Sequence, residues 1–537
     1  MLGADAMVKC LEMEGVTSVF GYPGVAICPF YNSILDSEIE SVLVRTEQNA
    51  AHAASGYYRV SGKVGVCAVT SGPGATNLIT GIATAFADSI PMICITGQVH
   101  SELLGSDVFQ EADITGAVES FVKYSYLVRD VDDIPRIFKE AFHIATTGRK
   151  GPVLIDVPID VQNATINKFK YPEEVKLRTY KPTVKGNMAQ IKKVVKELAE
   201  AKRPLICAGG GVLLADARKE LLEFSHKFNI PVVSTMMGIG VMPTEDEMYY
   251  GMVGNNGKPY ANRAMNDCDL LIMVGARVAD RAISQPDLII NNKLLIHIDV
   301  DPAEIGKNVG PHIPLVGDCK SIFEDLLEQE VKGDYVQWKE TLDEYAKTME
   351  KKRCVSDAFV DPAAFIQMLS RKLPDTAVYV ADVGQNQIWS CGYHIVKQGD
   401  FLTSGGMGTM GYSIPAAMGA KYSMPEREVV AVCGDGSFQM SMMELATMRQ
   451  HGIKSKIIVL RNNFLGMVRQ YQHFTYEDKY SVVDLTGSPD LSSIAAAYDM
   501  PYFLVKDGKD MEQQIDAFLK EDKACLMECL IDPMDLV

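Results

Sequence analysis

Two short polar clusters, each closing an apolar run, carry the clearest chemistry in the chain. Gly434-Asp435-Gly436-Ser437 follows Val429-Val430-Ala431-Val432-Cys433, and Asn462-Asn463 follows the run that begins Lys456-Ile457-Ile458-Val459-Leu460. A carboxylate and an amide oxygen are hard ligands that suit an octahedral Mg²⁺. Its remaining positions go to diphosphate oxygens, water and one backbone carbonyl. The glycines and Ser437 let backbone N–H groups at a helix start face phosphate charge. A lone Gly-Asp-Gly reads equally well as a strand-ending turn. The paired asparagines at the next strand end turn the reading toward a metal–diphosphate cradle.

The elements that must position these groups are legible nearby. Both apolar runs have the length and continuity of strands buried on two faces. Between them, Met440 to His451 has helical spacing, with Met440, Met443, Ala446 and Thr447 able to share a face. In such a βαβ unit both strands end on one edge of the sheet, where ligands bind. A second set lies near the amino terminus. Ile39–Thr46 reads as a strand and Gln48–Ser61 as a helix of small residues, so Glu47 falls at the turn between them. A glutamate there complements the helix dipole even with no further role. Val64–Thr70 is a further strand, leading into Ser71-Gly72-Pro73-Gly74-Ala75-Thr76-Asn77, and the earlier turn Gly21-Tyr22-Pro23-Gly24 has the same character.

Strand-like and helix-like segments alternate through the chain and predict α/β architecture with three doubly wound parallel-sheet domains, at residues 1–162, 187–330 and 361–537. A charged, proline-bearing stretch from Asn163 to Gly186 reads as a linker, and Glu330 to Lys352 is very polar. The middle block has strand candidates at Pro204–Ala208, Pro231–Ser234, Leu270–Val274 and Leu295–Val300. The first and third blocks share glycine-rich turns after buried strands, as two related nucleotide-type folds would. With 537 residues and a net charge of −17, the chain lacks a basic run, which argues against nucleic acid as a partner. No window approaches the 18 or so apolar residues of a membrane span, and the amino terminus lacks a signal-peptide pattern, so a cytoplasmic protein is expected. The twelve cysteines are scattered without a CxxC pair, as reduced core residues would be.

Together these residues resemble the thiamine diphosphate enzymes of the decarboxylase and acetohydroxyacid synthase group, most closely the catalytic subunits of the latter. The resemblance covers nearly the whole chain. It is carried by Arg45-Thr46-Glu47-Gln48, Ser71 to Asn77, Asp107 to Asp113, Gly408-Thr409-Met410-Gly411-Tyr412, Gly434 to Gln439 and Leu465 to Gln470, with Ile298 to Asn308 and Gly275-Ala276-Arg277 in the middle block. It implies decarboxylation of a 2-ketoacid such as pyruvate and transfer of the two-carbon remainder to a second 2-ketoacid, with the cofactor supplying the chemistry. Glu47 matches the glutamate that bonds the aminopyrimidine N1′. Met410 matches the residue that wedges the cofactor into its bent form. Phe109 and Gln110 match residues near the reacting centre, and Arg281 the cation beside the acceptor carboxylate. Tyr22, Pro73, Asn77, Gly384, Gln385, Gly408, Gly434, Gly436 and Ser437 match cofactor-contacting positions. Asp435, Asn462 and the carbonyl of Phe464 match the Mg²⁺ ligands. For the middle block the resemblance implies a structural FAD, held by Arg149, Gly209-Gly210-Gly211, Arg277, Asp299 and Asp318. It further implies a homodimer or dimer of dimers with sites shared between subunits, and it leaves open whether a small regulatory subunit binds.

The chain departs from the family pattern at several places. Tyr471 replaces a tryptophan that favours 2-ketobutyrate as acceptor, Ile159 a lysine, His100 a proline, Val25 a glycine, Asn386 a histidine and Val253 a histidine near the flavin. These changes leave room for another thiamine diphosphate lyase acting on a different 2-oxoacid or a sulfonated aldehyde. A catalytically silent cofactor-binding subunit is the third reading, and intact Glu47, Asp435 and Asn462 oppose it.

Overall fold

The computed structural model describes residues 1–283, 289, 293–349 and 358–537. Residues 350–352 of the polar stretch lie outside that set. The chain forms two compact units: Met1–Tyr180 with Ala377–Asn386 and Leu402–Pro533, and Lys181–Thr376 with Gln387–Phe401 and Met534–Val537. Three six-stranded sheets, parallel in every described pairing and with a register shift at one edge, make up the architecture.

In the first sheet β1 (Ser18–Tyr22), β2 (Glu40–Leu43), β3 (Gly65–Val69), β4 (Met92–Gln98), β5 (Tyr124–Leu127) and β6 (Pro152–Pro158) lie in the order β2-β1-β3-β4-β6-β5. Three of its four inner strands, β3, β4 and β6, are buried along their whole length. The second sheet contains β7 (Pro204–Ala208), β8 (Val232–Ser234), β9 (Tyr249–Met252), β10 (Leu270–Val274), β11 (Leu294–Asp299) and β12 (Ile313–Val316), ordered β12-β11-β10-β7-β8-β9. This is the 3-2-1-4-5-6 dinucleotide-type order read from the opposite edge. β13 (Val378–Ala381), β14 (Asp400–Leu402), β15 (Val429–Gly434), β16 (Lys456–Arg461), β17 (Tyr502–Val505) and β18 (Cys525–Leu530) build the third sheet, ordered β14-β13-β15-β16-β18-β17. First and third sheets therefore have the same strand order, the kinship that their glycine-rich turns suggested.

Within the first unit these two sheets are joined through the helices Glu47–Ser61 and Ser413–Ser423. A methyl group added at Gly56 would run into the carbonyl of Ala416, and one added at Gly419 would run into the carbonyl of Ala53. Only glycine permits backbones this close. That fits the small residues that make up much of the buried part of the first helix, Ala50, Ala51, Ala53, Ala54, Ser55 and Gly56.

Three local expectations are corrected. The helix read from Met440 to His451 is two helices, Asp435–Ser441 and Glu444–His451. Met440 and Met443 are exposed, and the buried face is formed by Glu444, Leu445, Thr447 and Met448, because Glu444 and Thr447 bond to the first block. The first half of the presumed linker is strapped to the first core, against which Phe169, Tyr171, Leu177 and Tyr180 pack. Tyr171 donates to Glu14 (2.7 Å) and Tyr180 to the carbonyl of Thr147 (2.7 Å). The polar stretch after residue 330 contains the helix Val336–Thr348, which buries Trp338 and Leu342. The cysteines are unpaired among the described residues, and all but Cys28 are buried.

Candidate functional site

The carboxyl ends of β15 and β16 are neighbours, with Gly434 opposite Leu460. Chain reversal there is tight. Asp435 opens its helix, one carboxylate oxygen accepting from the Asn463 N–H (2.7 Å) and the other from the Gly436 N–H (3.1 Å). Asn463 sits at φ +60°, a left-handed conformation that asparagine tolerates, and its side chain accepts from Arg461 Nε (2.8 Å). Asn462 accepts from the Phe464 N–H (3.0 Å) and donates to Gln385 (3.3 Å), which itself donates to Gln470 (3.0 Å). Asp435, Asn462, Phe464 and Gln385 are thus brought together. Burial pushes the Asp435 carboxyl up to about 6, against the pull of the Asn463 and Gly436 N–H groups. A cation would relieve that cost, and the oxygen donors suit Mg²⁺. Ser437 serves locally as well: its hydroxyl accepts from the Gly434 N–H (3.1 Å).

Met410 belongs to this end. Its methyl lies 3.5 Å from where a Cβ at Gly436 would stand, so the side chain covers the Asp435–Gly436 turn. The loop that carries it is fixed by Asp382, fully buried just after β13. The Asp382 carboxylate accepts from the Gly411 N–H (2.9 Å), the Ser413 N–H (2.8 Å) and its neighbour Val383 N–H (2.8 Å). Desolvation raises the Asp382 carboxyl, opposed by those donors. Gly408 in the same loop has φ +71°, and Gly384 has φ +131°. Asn386 donates to the carbonyls of Asp382 (2.8 Å) and Val432 (3.2 Å), bracing the same corner.

The second cluster stands at the carboxyl edge of the first sheet. Glu47 is the first residue of its helix and is buried, accepting from Asn77 Nδ2 (3.1 Å). Its other oxygen lies 3.3 Å from where a Cβ at Gly74 would stand, so the turn after β3 closes over it. Pro73 and Asn77 are exposed on that turn, and Tyr22 is partly exposed at the end of β1. The hydroxyl of Thr70 is buried beneath the turn with no hydrogen-bond partner. That orphaned group, the buried carboxylate and the exposed turn fit a polar heterocycle with its own donors and acceptors. Gln110, at φ +60°, abuts Gly72, whereas Phe109 is 87% exposed on the adjoining loop. The Glu111 carboxylate ties that loop by accepting from the Gly105 and Val108 N–H groups.

The remaining predicted residues divide between the units. Arg149 lies in the first, donating to Ser89 (3.0 Å) with its guanidinium over the ring of Phe86. Gly209, Gly210, Gly211, Arg277, Arg281, Asp299 and Asp318 lie in the second. There Gly209 and Gly211 allow close backbone packing on Gly275, the Gly211 N–H donating to the Gly275 carbonyl (2.9 Å). Asp318 caps the helix Cys319–Leu327, accepting from Lys320 and Ser321. Asp299 ends β11 and accepts from the Asp301 N–H (2.9 Å). Arg281 is exposed in a turn whose carbonyl accepts from the Asn255 N–H (3.1 Å).

Sequence reasoning missed Asp382 and the distinct role of Asn463. Asp382 closes β13 as Asp435 follows β15, and this repetition was the available signal. The second of two adjacent asparagines at a strand end suits a left-handed residue, and that too was readable.

Comparison with known proteins follows the same division. Residues 1–117 match the thiamine pyrophosphate enzyme N-terminal TPP binding domain, residues 191–326 the central domain and residues 382–529 the C-terminal TPP binding domain. The chain is 42% identical to a probable acetolactate synthase large subunit of Methanocaldococcus jannaschii, across all of this chain and 93% of the relative. It is 40% identical to the acetolactate synthase large subunit of Haemophilus influenzae, across all of this chain and 95% of the relative. The large subunit of Corynebacterium glutamicum is 45% identical, over 90% of this chain and 78% of the relative.

Proposed function

The chain belongs to the acetolactate synthase large-subunit family of thiamine pyrophosphate enzymes, and from that premise we propose which of its residues carry the reaction and with what partners. As an acetolactate synthase it joins two pyruvate molecules into acetolactate with release of one CO₂. Thiamine diphosphate, when bound, supplies the carbon nucleophile and the electron sink.

The observation that carries the residue assignment is the pairing of two strand-end clusters, Glu47 with Asn77 and Asp435 with Asn462 and Gln385. Asp435, Asn462 and the Phe464 carbonyl would hold Mg²⁺, which would supply the positive charge that retains the diphosphate. Gly434, Gly436, Ser437, Gly384, Gln385 and Gly408 line that end, and Met410 shapes the cofactor. Glu47 holds and returns a proton at the aminopyrimidine, oriented by Asn77, with Tyr22 and Pro73 at its rim. Gln110 and Phe109 border the reacting centre, and Arg281 receives the acceptor carboxylate. Residues 1–162 form the pyrimidine domain, 187–330 the central domain and 361–537 the diphosphate domain. A structural FAD in the central domain, with Arg149, Arg277, Asp299 and Asp318 among its contacts, rests on the family resemblance. The described contacts give Gly209 and Gly211 a packing role of their own. Exposed Phe109 and exposed Tyr471 support a homodimer in which the first domain of one subunit faces the third of another. The large-subunit names of the relatives support a small regulatory partner. Valine and isoleucine biosynthesis is the proposed setting, with 2-ketobutyrate as the alternative acceptor.

The test is purified protein with pyruvate, thiamine diphosphate and Mg²⁺, with and without FAD. One acetolactate per CO₂ is expected. CO₂ with acetaldehyde in place of acetolactate would favour a simple decarboxylase, and a holoprotein that is active as a monomer would remove the shared site.

A further inference from the structure

Glu444 is a fully buried carboxylate that the reaction as described does not use. It opens the helix Glu444–His451, which follows directly on the helix that begins with Asp435. One oxygen accepts from both the Arg45 backbone N–H (2.9 Å) and Asn49 Nδ2 (2.9 Å). These two donors bracket Glu47, two residues to either side. The other oxygen accepts from the Thr447 hydroxyl (2.6 Å).

The same helix holds the rest of the segment. The Leu43 N–H donates to His451 Nε2 (3.2 Å), and Arg45 donates to the Leu43 carbonyl (2.8 Å) and to Gln450 (2.7 Å). Burial, with the charge of Arg45, keeps His451 below its usual range, so its ring nitrogen is available as an acceptor. From Leu43 to Asn49, then, the chain is pinned from the third block at residues 43, 45 and 49. Glu47 points the other way, to Asn77. A carboxylate is well matched to this task, because its two oxygens accept three hydrogen bonds where no water reaches.

We propose that Glu444 is the positioning residue for Glu47, fixing the strand-to-helix turn so that the Glu47 carboxyl meets the aminopyrimidine in register. This rests on the proposed role of Glu47. Its effect acts on turnover rather than on cofactor capture, since Asp435 and Asn462 are the residues that would hold the metal and diphosphate. Misplacement by about 1 Å in a positioned catalytic group costs on the order of 100-fold in rate.

Glu444→Ala and Glu444→Gln are compared with Glu47→Gln in the full-length holoenzyme. In Glu444→Ala, kcat should fall on the order of 100-fold, with KM for pyruvate and the Kd for thiamine diphosphate nearly unchanged. Glu444→Gln should recover most of the loss: its amide oxygen can accept from Arg45 and Asn49, while Thr447 accepts from its NH₂ group and turns its own proton to the Leu43 carbonyl. Amide hydrogen exchange gives a readout independent of activity. In cofactor-free Glu444→Ala, exchange should accelerate in the peptide spanning Leu43–Asn49 and not across β15 and β16. Asn49→Ala, which removes one of the three donors, should show a smaller change of the same pattern and serves if Glu444→Ala does not fold. Wild-type kcat in Glu444→Ala, no recovery in Glu444→Gln, or exchange that rises uniformly would overturn the inference. An active Glu47→Gln enzyme would instead overturn the reading it rests on.

Discussion

Replacing Glu47 by glutamine separates chemistry from structure at the site. The carboxylate is buried and accepts one hydrogen bond, from Asn77 at 3.1 Å. Glutamine can keep that bond by turning its carbonyl oxygen toward Asn77, leaving its NH₂ group at the oxygen position beside Gly74. The change exchanges a charge-assisted hydrogen bond for a neutral one, so folding stability should move by about 1 kcal/mol. Catalysis should move much further. A neutral amide neither holds nor returns a proton, and loss of a positioned acid–base group costs roughly 10²–10⁴-fold in rate, or about 3–5 kcal/mol of barrier. The gap between the two figures makes the experiment decisive. Acetolactate and CO₂ would be measured under saturating pyruvate and cofactor, alongside a urea melt and calorimetric binding of thiamine diphosphate. A Glu47→Gln enzyme within tenfold of the wild-type rate would refute the reasoning. So would a rate loss matched by an equal loss of cofactor affinity, since that would make Glu47 an anchor and not a proton carrier.

On the proposed reading Asp435 would hold the Mg²⁺ that in turn would hold the diphosphate, so Asp435→Ala should weaken Mg²⁺ and thiamine diphosphate together; calorimetric titration with unchanged affinity would count against the cradle. Tyr471→Trp should shift the product ratio toward acetohydroxybutyrate when pyruvate and 2-ketobutyrate compete, with one methyl group in an apolar pocket worth about 1–3 kcal/mol, and an unchanged ratio would place this side chain away from the acceptor. Asp156, between Thr96 (2.7 Å) and Gln98 (3.0 Å), is pushed up to about 7 by burial, with the charge of Asp113 adding to it. Because the folded state holds this proton more tightly than the unfolded chain, its contribution to stability declines as pH rises from about 4 to about 7, by on the order of 4 kcal/mol. Asp156→Asn should remove that segment of the pH profile, and a wild-type–variant difference in urea midpoint that is constant from pH 4.5 to 8 would refute the assignment.

What the sequence showed and what it concealed follow from the range of the forces involved. Buried parallel strands announce themselves as apolar runs, so Pro204–Ala208 and Leu270–Val274 could be bounded to the residue. β9 and β12 are short edge strands containing Gly251 and Pro314, and nothing local marks them. The Asp435 and Asn462 cluster was legible because a βαβ unit places consecutive strand ends together. Glu444 was not, since its partners lie some 400 residues earlier and a glutamate after Met443 looks like an ordinary first-turn acid. The same hidden bonds broke the expected helix face, turning Glu444 inward beside Thr447 and leaving Met440 and Met443 outside. Phe169, Tyr171 and Tyr180 stand among charges and prolines, so their packing on the first core was masked by composition.

The shared strand order of the first and third sheets gives this division of labour a physical basis. Each sheet uses the loops after its first three strands, at the edge where the strand order reverses, and the third sheet adds Asn462 and Phe464 from the loop after its fourth. After the third strand both have a glycine-rich turn into a helix: Ser71–Gly74 in one, Gly434–Ser437 in the other. After the second strand the first sheet presents Glu47, and the third presents the loop ending in Met410. Those loops lead into the helices Glu47–Ser61 and Ser413–Ser423, and the two helices meet reciprocally, each offering a glycine to the other's alanine carbonyl. Two scaffolds of the same strand order, packed through equivalent helices, hold both loop sets while leaving their side chains free to differ. One sheet edge presents the Glu47 carboxyl; the other presents the Asp435 carboxylate and the Asn462 amide. The strands fix where these groups stand, and the loop residues alone decide what they do.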